Sequence, residues 1–139
     1  IHCASNTDFF LNDESVVAEL LNTVAVSKGA SIDKFFFHFV SVAKIQQVNN
    51  DYLKHDFVTD VITFDYSDDK EISAEAFVCP EQVFKNAKRY RQSIENEMLR
   101  VLVHAVLHVL GYDDKTEESR QEMRKQEDRF LSVFNQKHK

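Results

Sequence analysis

Residues 95–111 have the sequence ENEMLRVLVHAVLHVLG, which is the strongest helix signal in the chain. Acidic residues occupy the first turn, where the helix dipole stabilises negative charge. A nearly unbroken apolar body follows, and Gly111 supplies the stop because glycine readily takes the left-handed conformation that ends many helices. Since the segment is apolar on almost every side, we predict that it is the central buried helix of the domain.

Patterns typical of helices and of strands flank this segment. Amphipathic spacing and capping signals predict further helices, whereas short β-branched and aromatic runs predict strands. The predicted helices are 12–28, 42–53, 80–94 and 116–134. The predicted strands are 35–40, 59–66 and 71–79, and the turn SDDK joins the last two as a hairpin.

These elements predict an α+β fold in which a small mixed β-sheet packs against helices. The 139 residues are enough for one substantial core, and no repeat, low-complexity tract or linker divides the chain. We therefore predict a single domain over residues 1–139.

The composition restricts the compartment and the partners. No apolar stretch approaches the ~18 residues that span a bilayer, and the N-terminal residues lack the basic and apolar regions of a signal peptide. Cys3 and Cys79 are too few for a disulfide framework, so we predict free thiols in a reducing compartment. We expect a cytoplasmic protein without a membrane partner.

The net charge of −6 disfavours binding of a nucleic-acid partner, unless basic residues gather in one place.

His104 and His108 lie four residues apart on the predicted central helix. Side chains at that spacing project from one helix face about 5–6 Å apart, so both imidazoles can bind one metal ion. The alternative is that both are hydrogen-bonded core histidines. The spacing alone does not decide between these two interpretations.

A third metal ligand is expected just beyond the helix. The chain reverses at Gly111, so a residue after the turn can face back toward the histidines. Asp114 is the preferred candidate, and Asp113 is its rival. Two histidines and a carboxylate leave a position open for water, which is typical of catalytic zinc. A zinc protease of the H-E-x-x-H type is disfavoured, because Ala105 occupies the place of its general-base glutamate.

Three stretches carry a resemblance to a known family. HAVLHVLGYDD (104–114) resembles the H-G-x-L-H-L-x-G-Y-D-H signature of the YbeY family of bacterial endoribonucleases, also described as ribosomal RNA maturation factors. TDVITF (59–64) is similar to the family's T-D-V-L-S-F, which makes Thr59 and Asp60 candidates for lining a cleft. The alternative is that a Thr-Asp pair at the start of a strand is ordinary turn chemistry. The lead-in NEMLRVLVHAVLHVLGY (96–112) also resembles the family's approach to its metal-binding helix.

The resemblance implies one bound metal ion, usually taken to be zinc, held by three histidines. Two of these ligands fall on His104 and His108, and the third falls on Asp114, where this chain has a carboxylate instead. The carboxylate adds negative charge, which should make a bound water less acidic and weaken discrimination against other divalent ions.

Two further positions depart from the family pattern. Ala105 replaces a glycine, which adds bulk beside the site. The family's basic residue before T-D-V-L-S-F corresponds to Leu53, and the adjacent Lys54 is a candidate for its phosphate-facing role. No side chain is an evident general base, so Lys54 and Asp113 are the candidates for a catalytic group.

The stretch KNAKRYRQ is the candidate RNA-binding surface. Cations at helical spacing can follow a phosphate backbone, and the neighbouring Tyr90 can stack on a base. The alternative is an ordinary solvated helix face. The cations are Lys85, Lys88, Arg89 and Arg91.

The leading hypothesis is a metal-dependent, single-strand-specific endoribonuclease that acts in ribosomal RNA maturation and ribosome quality control. Its expected cofactor is one divalent ion, zinc by resemblance, and its expected partner is precursor ribosomal RNA or a ribosomal subunit. One alternative is a ribosome-associated RNA-binding factor with weak or no hydrolytic activity. Another is a metallohydrolase of a different substrate class. The sequence does not choose between water and the ribose 2′-OH as nucleophile.

Overall fold

The structure is a computed structural model that describes residues 1–9, 11–53, 59–68 and 71–137. The strands within these residues are β1 (His2–Ser5), β2 (Ser31–Phe39), β3 (Val61–Asp65) and β4 (Glu71–Val78). The helices are α1 (Glu14–Ser27), α2 (Val42–Leu53), α3 (Pro80–Arg89), α4 (Ile94–Val109) and α5 (Glu117–Lys137). None of these helices is long enough and apolar enough to cross a membrane.

The four strands form one mixed sheet in the order β1-β2-β4-β3. β1, β2 and β4 run parallel, whereas β3 pairs antiparallel with β4 and so confirms the predicted hairpin. The mixed sheet with its helices confirms the α+β fold class. The sequence did not predict β1, because four residues without clear alternation acquire strand geometry only by pairing with β2. β2 begins at Ser31, four residues before the predicted start.

The main core lies between one face of the sheet and helices α1, α4 and α5. Phe35, Phe37 and Phe39 of β2 alternate with outward-facing neighbours, and all three are buried. α4 contacts α1, α3, α5, β3 and β4, and its apolar body is buried among them. The central position predicted for this helix is therefore observed, and the site builds on its exposed side.

Both cysteines are free thiols, as predicted. Cys79 belongs to a smaller apolar cluster beside α2, and Cys3 is partly buried on β1. Burial raises the pKa of both thiols, that of Cys3 to about 11, so neither is a thiolate at neutral pH.

α4 ends in a Schellman turn at the predicted glycine. The amide of Gly111 donates to the carbonyl of His108, and the amide of Tyr112 donates to the carbonyl of Leu107, both at 3.1 Å. This pairing requires a positive φ, and Gly111 has φ +108°. The turn directs the following residues back along the helix toward the cleft.

The prediction that the helix beginning at Pro80 continues to residue 94 was wrong. α3 ends at Arg89, and the same type of turn follows with Arg91 at φ 56° in the place usually taken by glycine. Ser93 then caps α4 by accepting a hydrogen bond from the amide of Asn96 at 3.0 Å. An arginine in a left-handed position gives no local signal, which explains why the pattern hid this break.

Candidate functional site

A cleft of about 450 Å³ opens where α4 faces α5, the end of α3 and the start of β3. His104 of α4 lies in its wall, opposite Asp114 from the loop that follows Gly111. The Schellman turn therefore brings the two ends of the HAVLHVLGYDD motif to one place.

Both ring nitrogens of His104 lie near carboxylates. Nδ1 is 2.7 Å from Oε2 of Glu127, and Nε2 is 3.9 Å from Oδ2 of Asp114. Burial lowers the pKa of His104, but the hydrogen bond and charge of Glu127, together with the charges of Asp60 and Asp114, outweigh it. The net result is a pKa above the usual 6.5.

Glu127 of α5 is a buried carboxylate that holds two side chains of α4. Its Oε2 pairs with His104, and its Oε1 accepts a hydrogen bond from Nη1 of Arg100 at 3.1 Å. Nη2 of Arg100 donates to Oδ1 of Asp128 at 2.6 Å. Neither Arg100 nor Glu127 was predicted as a site residue from the sequence. Their only signal is the four-residue spacing of Arg100 and His104, which does not reveal the partner helix.

Asp114 is anchored in the cleft by the start of α5. Nη1 of Arg120 donates to the main-chain carbonyl of Asp114 at 3.2 Å, and its Nη2 donates to Glu117 at 2.9 Å. These contacts hold the loop after α4 against α5. The Asp114 carboxylate is left exposed to the cleft beside His104.

Asp113, the rival third ligand, makes turn contacts instead. Its Oδ1 accepts a hydrogen bond from the amide of Lys115 at 3.1 Å. Hydrogen bonds from Ser119 and from that amide hold the pKa of Asp113 below its usual value, with a smaller contribution from His108. Asp113 is not among the residues that line the cleft.

His108 lies one turn after His104 and is exposed to solvent. In the described part of the chain, no three His, Cys, Asp or Glu side chains lie together closely enough to hold a metal ion. The structure thus brings His104 and Asp114 together and leaves His108 apart from them.

The donors present nevertheless fit a divalent metal. Two ligands of one tetrahedral zinc ion, each about 2.0–2.1 Å from it, lie roughly 3.3 Å apart. The 3.9 Å between His104 Nε2 and Asp114 Oδ2 is close to that separation. The imidazole of His108, the third candidate donor, is exposed on the next turn of α4. The donor chemistry of His104, His108 and Asp114 suits a divalent ion, and the structure brings the first and last of these close together.

Two more carboxylates, Asp60 and Glu97, line the cleft. Asp60 accepts a hydrogen bond from the side-chain amide of Asn86 at 3.4 Å. Burial raises the pKa of Asp60 despite the opposing charge of His104, and burial also raises that of Glu97 despite Arg100. Both groups thus hold a proton more tightly than usual.

The cations predicted to bind RNA do not line the cleft that the described residues form. Lys85, Lys88, Arg89 and Arg91 are all exposed at the surface of α3 and just beyond it. Tyr90, from the same segment, does line the cleft. The cations that line the cleft are instead Arg100, Arg120 and Arg124. Arg120 and Arg124 were not predicted because α5 carries as many acids as bases around them, and Arg100 is a lone cation on the apolar helix α4.

The remaining catalytic candidate, Lys54, lies outside the described residues. Of Leu53, only the backbone position at the end of α2 is described.

A sequence model of the family described as Endoribonuclease YbeY matches residues 6–135. The chain belongs to the YbeY family. Endoribonuclease YbeY of Flavobacterium johnsoniae is 38% identical over 128 residues, covering 92% of each protein. That of Chlorobaculum tepidum is 37% identical over 119 residues, covering 86% of this chain and 87% of the relative.

The fold of this chain is also found in a solved structure. The solution structure of TM1509 from Thermotoga maritima matches with a TM-score of 0.63, over 96% of this chain and 87% of that protein. At 23% identity this likeness supports the shared fold alone.

Proposed function

We propose that this chain is a metal-dependent endoribonuclease that cleaves single-stranded RNA during ribosomal RNA maturation and ribosome quality control. Membership of the YbeY family supports RNA cleavage, because relatives named endoribonucleases align over most of the chain. The observation that carries the metal-dependent part is His104, whose Nε2 faces Asp114 inside a cleft.

In this proposal three side chains hold the ion. His104 contributes Nε2, Asp114 contributes a carboxylate oxygen, and His108 contributes its ring from the next turn of α4. The bound ion, expected to be zinc, supplies Lewis acidity toward a phosphate oxygen or a water molecule. Arg120 keeps Asp114 in position through its carbonyl, so the ligand does not depend on a free loop.

The walls of the cleft suit a single RNA strand. Arg120 and Arg124 provide cationic contacts for phosphates in a wall that also carries acidic side chains. The exposed ring of Tyr90 offers a surface on which an unpaired base can stack. Bases inside a duplex are stacked on their neighbours and present no free face, so this wall favours unpaired nucleotides.

We further propose that precursor ribosomal RNA, free or within a ribosomal subunit, is the substrate. The support is the family resemblance. Since ribosomes mature in the cytoplasm of bacteria, we expect the protein to act there.

The test is metal content and RNA cleavage in matched variants. His104→Ala should lose the bound zinc and reduce cleavage of a fluorescently labelled single-stranded RNA by about 100-fold or more, since even residues that only support a metal ligand contribute 10- to 100-fold. His2→Ala is the control, because it removes an exposed histidine of β1 outside the cleft. Undiminished cleavage by His104→Ala would rule out metal catalysis at this site.

A second candidate is a ribosome-associated RNA-binding factor with weak hydrolysis. The observation that favours it is the separation of His108 from the other two donors, together with Asp114 in place of a histidine. RNA binding without cleavage, by protein whose zinc content is one ion per chain, would support this alternative.

A further inference from the structure

We propose that Glu127 is a positioning residue that fixes the tautomer and direction of His104, and that Arg100 holds Glu127 in place for this role. Glu127 lies outside the 104–114 motif, and no role was expected for it from the sequence. The inference rests on the proposed function, since it concerns how one ligand of that site is prepared.

The hydrogen bond at Nδ1 decides the tautomer. A carboxylate oxygen only accepts hydrogen bonds, so Nδ1 of His104 must carry the hydrogen at its 2.7 Å contact with Glu127. In the neutral imidazole the other nitrogen, Nε2, then has a free lone pair. Nε2 is the atom that faces Asp114 and the cleft. The contact thus leaves the metal-facing nitrogen able to bind a cation.

The Glu127 carboxylate is itself fixed at both oxygens. Oε2 meets His104, and Oε1 accepts from Nη1 of Arg100 at 3.1 Å. With one partner on each oxygen, the carboxylate cannot rotate without breaking a charge-assisted hydrogen bond. The side chain is 6% exposed, so water cannot easily replace either partner.

Arg100 suits this anchoring role because of its place on α4. It lies four residues before His104, so both side chains project from the same helix face toward α5. Its second nitrogen is held by Asp128, the neighbour of Glu127 on α5. Two consecutive residues of α5 therefore fix the guanidinium, and the guanidinium fixes the carboxylate that directs His104.

If Glu127 positions His104, the substitution Glu127→Gln should change the tautomer of His104; if Glu127 only forms a structural ion pair, it should not. Glutamine keeps the shape of glutamate but can donate a hydrogen bond to Nδ1 through its amide. That donation stabilises the opposite tautomer, with hydrogen on Nε2, which cannot bind a metal. Asp128→Asn is the matched control: it also neutralises a partner of Arg100 on α5, but it is 59% exposed and does not contact His104.

The first measurement is zinc affinity, by chelator competition at a pH where the imidazole is neutral. Loss of a group that orients a metal-binding histidine typically weakens metal binding 10- to 100-fold. We expect that loss for Glu127→Gln and a change of less than threefold for Asp128→Asn. Equal affinities in Glu127→Gln and wild type would overturn the proposal.

The second measurement needs no metal and no activity. Nitrogen-15 chemical shifts of His104 in metal-free protein, at the same pH where the imidazole is neutral, report which ring nitrogen carries hydrogen. We expect hydrogen on Nδ1 in wild type and in Asp128→Asn, and a substantial fraction on Nε2 in Glu127→Gln. The same tautomer in all three proteins would overturn the proposal, even if wild type bound no zinc and the proposed function itself had failed.

Glu127→Asp is the variant to use if Glu127→Gln does not fold. It keeps the charge but withdraws the oxygens from Nδ1 by one methylene. We expect a tenfold or greater loss of zinc affinity from this displacement alone, and an unchanged affinity would contradict the positioning role.

Discussion

Removing the guanidinium of Arg100 from its ion pair with Glu127 should destabilise the folded protein. The two side chains are 12% and 6% exposed. Arg100→Met keeps most of the aliphatic stem but removes the guanidinium, which leaves the Glu127 carboxylate buried with His104 as its remaining partner. The other partner of Arg100, Asp128, is exposed and returns to water without penalty.

The expected loss of stability follows from these contacts. Removing one partner of a buried ion pair costs about 3–5 kcal/mol. Two features lower that figure here. His104 still contacts Glu127, and Nε of Arg100 is already buried without a hydrogen-bond partner among the described residues, so its removal relieves a cost. We therefore expect a loss of about 2–3 kcal/mol in the free energy of unfolding. With an unfolding entropy of about 2.1 cal/mol/K per residue, this lowers the melting temperature by about 7–10 °C.

Urea unfolding followed by far-UV circular dichroism, with a chelator present, measures the change. Arg120→Met is the control, because its pair with Glu117 and its hydrogen bond to the Asp114 carbonyl are both exposed to solvent, so their loss should cost less than the loss of the buried pair. The double variant Arg100→Met/Glu127→Gln should be more stable than Arg100→Met, since it no longer buries an uncompensated charge. A loss in Arg100→Met no larger than in Arg120→Met, or a less stable double variant, would refute the reasoning.

Three further outcomes are expected. Burial raises the pKa of Asp60 above the ordinary 3.8, so its contribution to stability is present below that pH and is lost as the pH rises. In the presence of a chelator that keeps the protein metal-free, Asp60→Asn should therefore raise the melting temperature at neutral pH, and the gain should shrink toward about pH 4. A lower melting temperature at neutral pH would contradict this. Arg124→Ala should weaken RNA binding and reduce its salt dependence by about one phosphate contact in fluorescence anisotropy titrations; an unchanged salt dependence would place Arg124 away from the RNA. Arg91→Gly should raise the free energy of unfolding by about 1 kcal/mol in urea titrations, because it relieves a left-handed backbone, and no gain would mean that the arginine is not strained.

The elements that formed as predicted are those with strong local signals. α4 has acids at its start, an apolar body and Gly111 at its end, and each of these acts within a few residues. The hairpin of β3 and β4 likewise follows from two β-rich runs close together in sequence. β1 and the break at Arg91 were missed, because one depends on a distant partner strand and the other on a backbone conformation unusual for arginine.

The candidate site also has one part that the local sequence determines and another that tertiary packing determines. The sequence by itself determined the motif that carries His104 and the turn that returns Asp114 to it, since both lie on one short stretch. Only the tertiary structure decided that Glu127, 23 residues away, binds His104. α5 carries several acids, and helical periodicity does not say which of them a neighbouring helix will bury. That choice depends on how α5 packs against α4, where Arg100 and His104 together select one carboxylate.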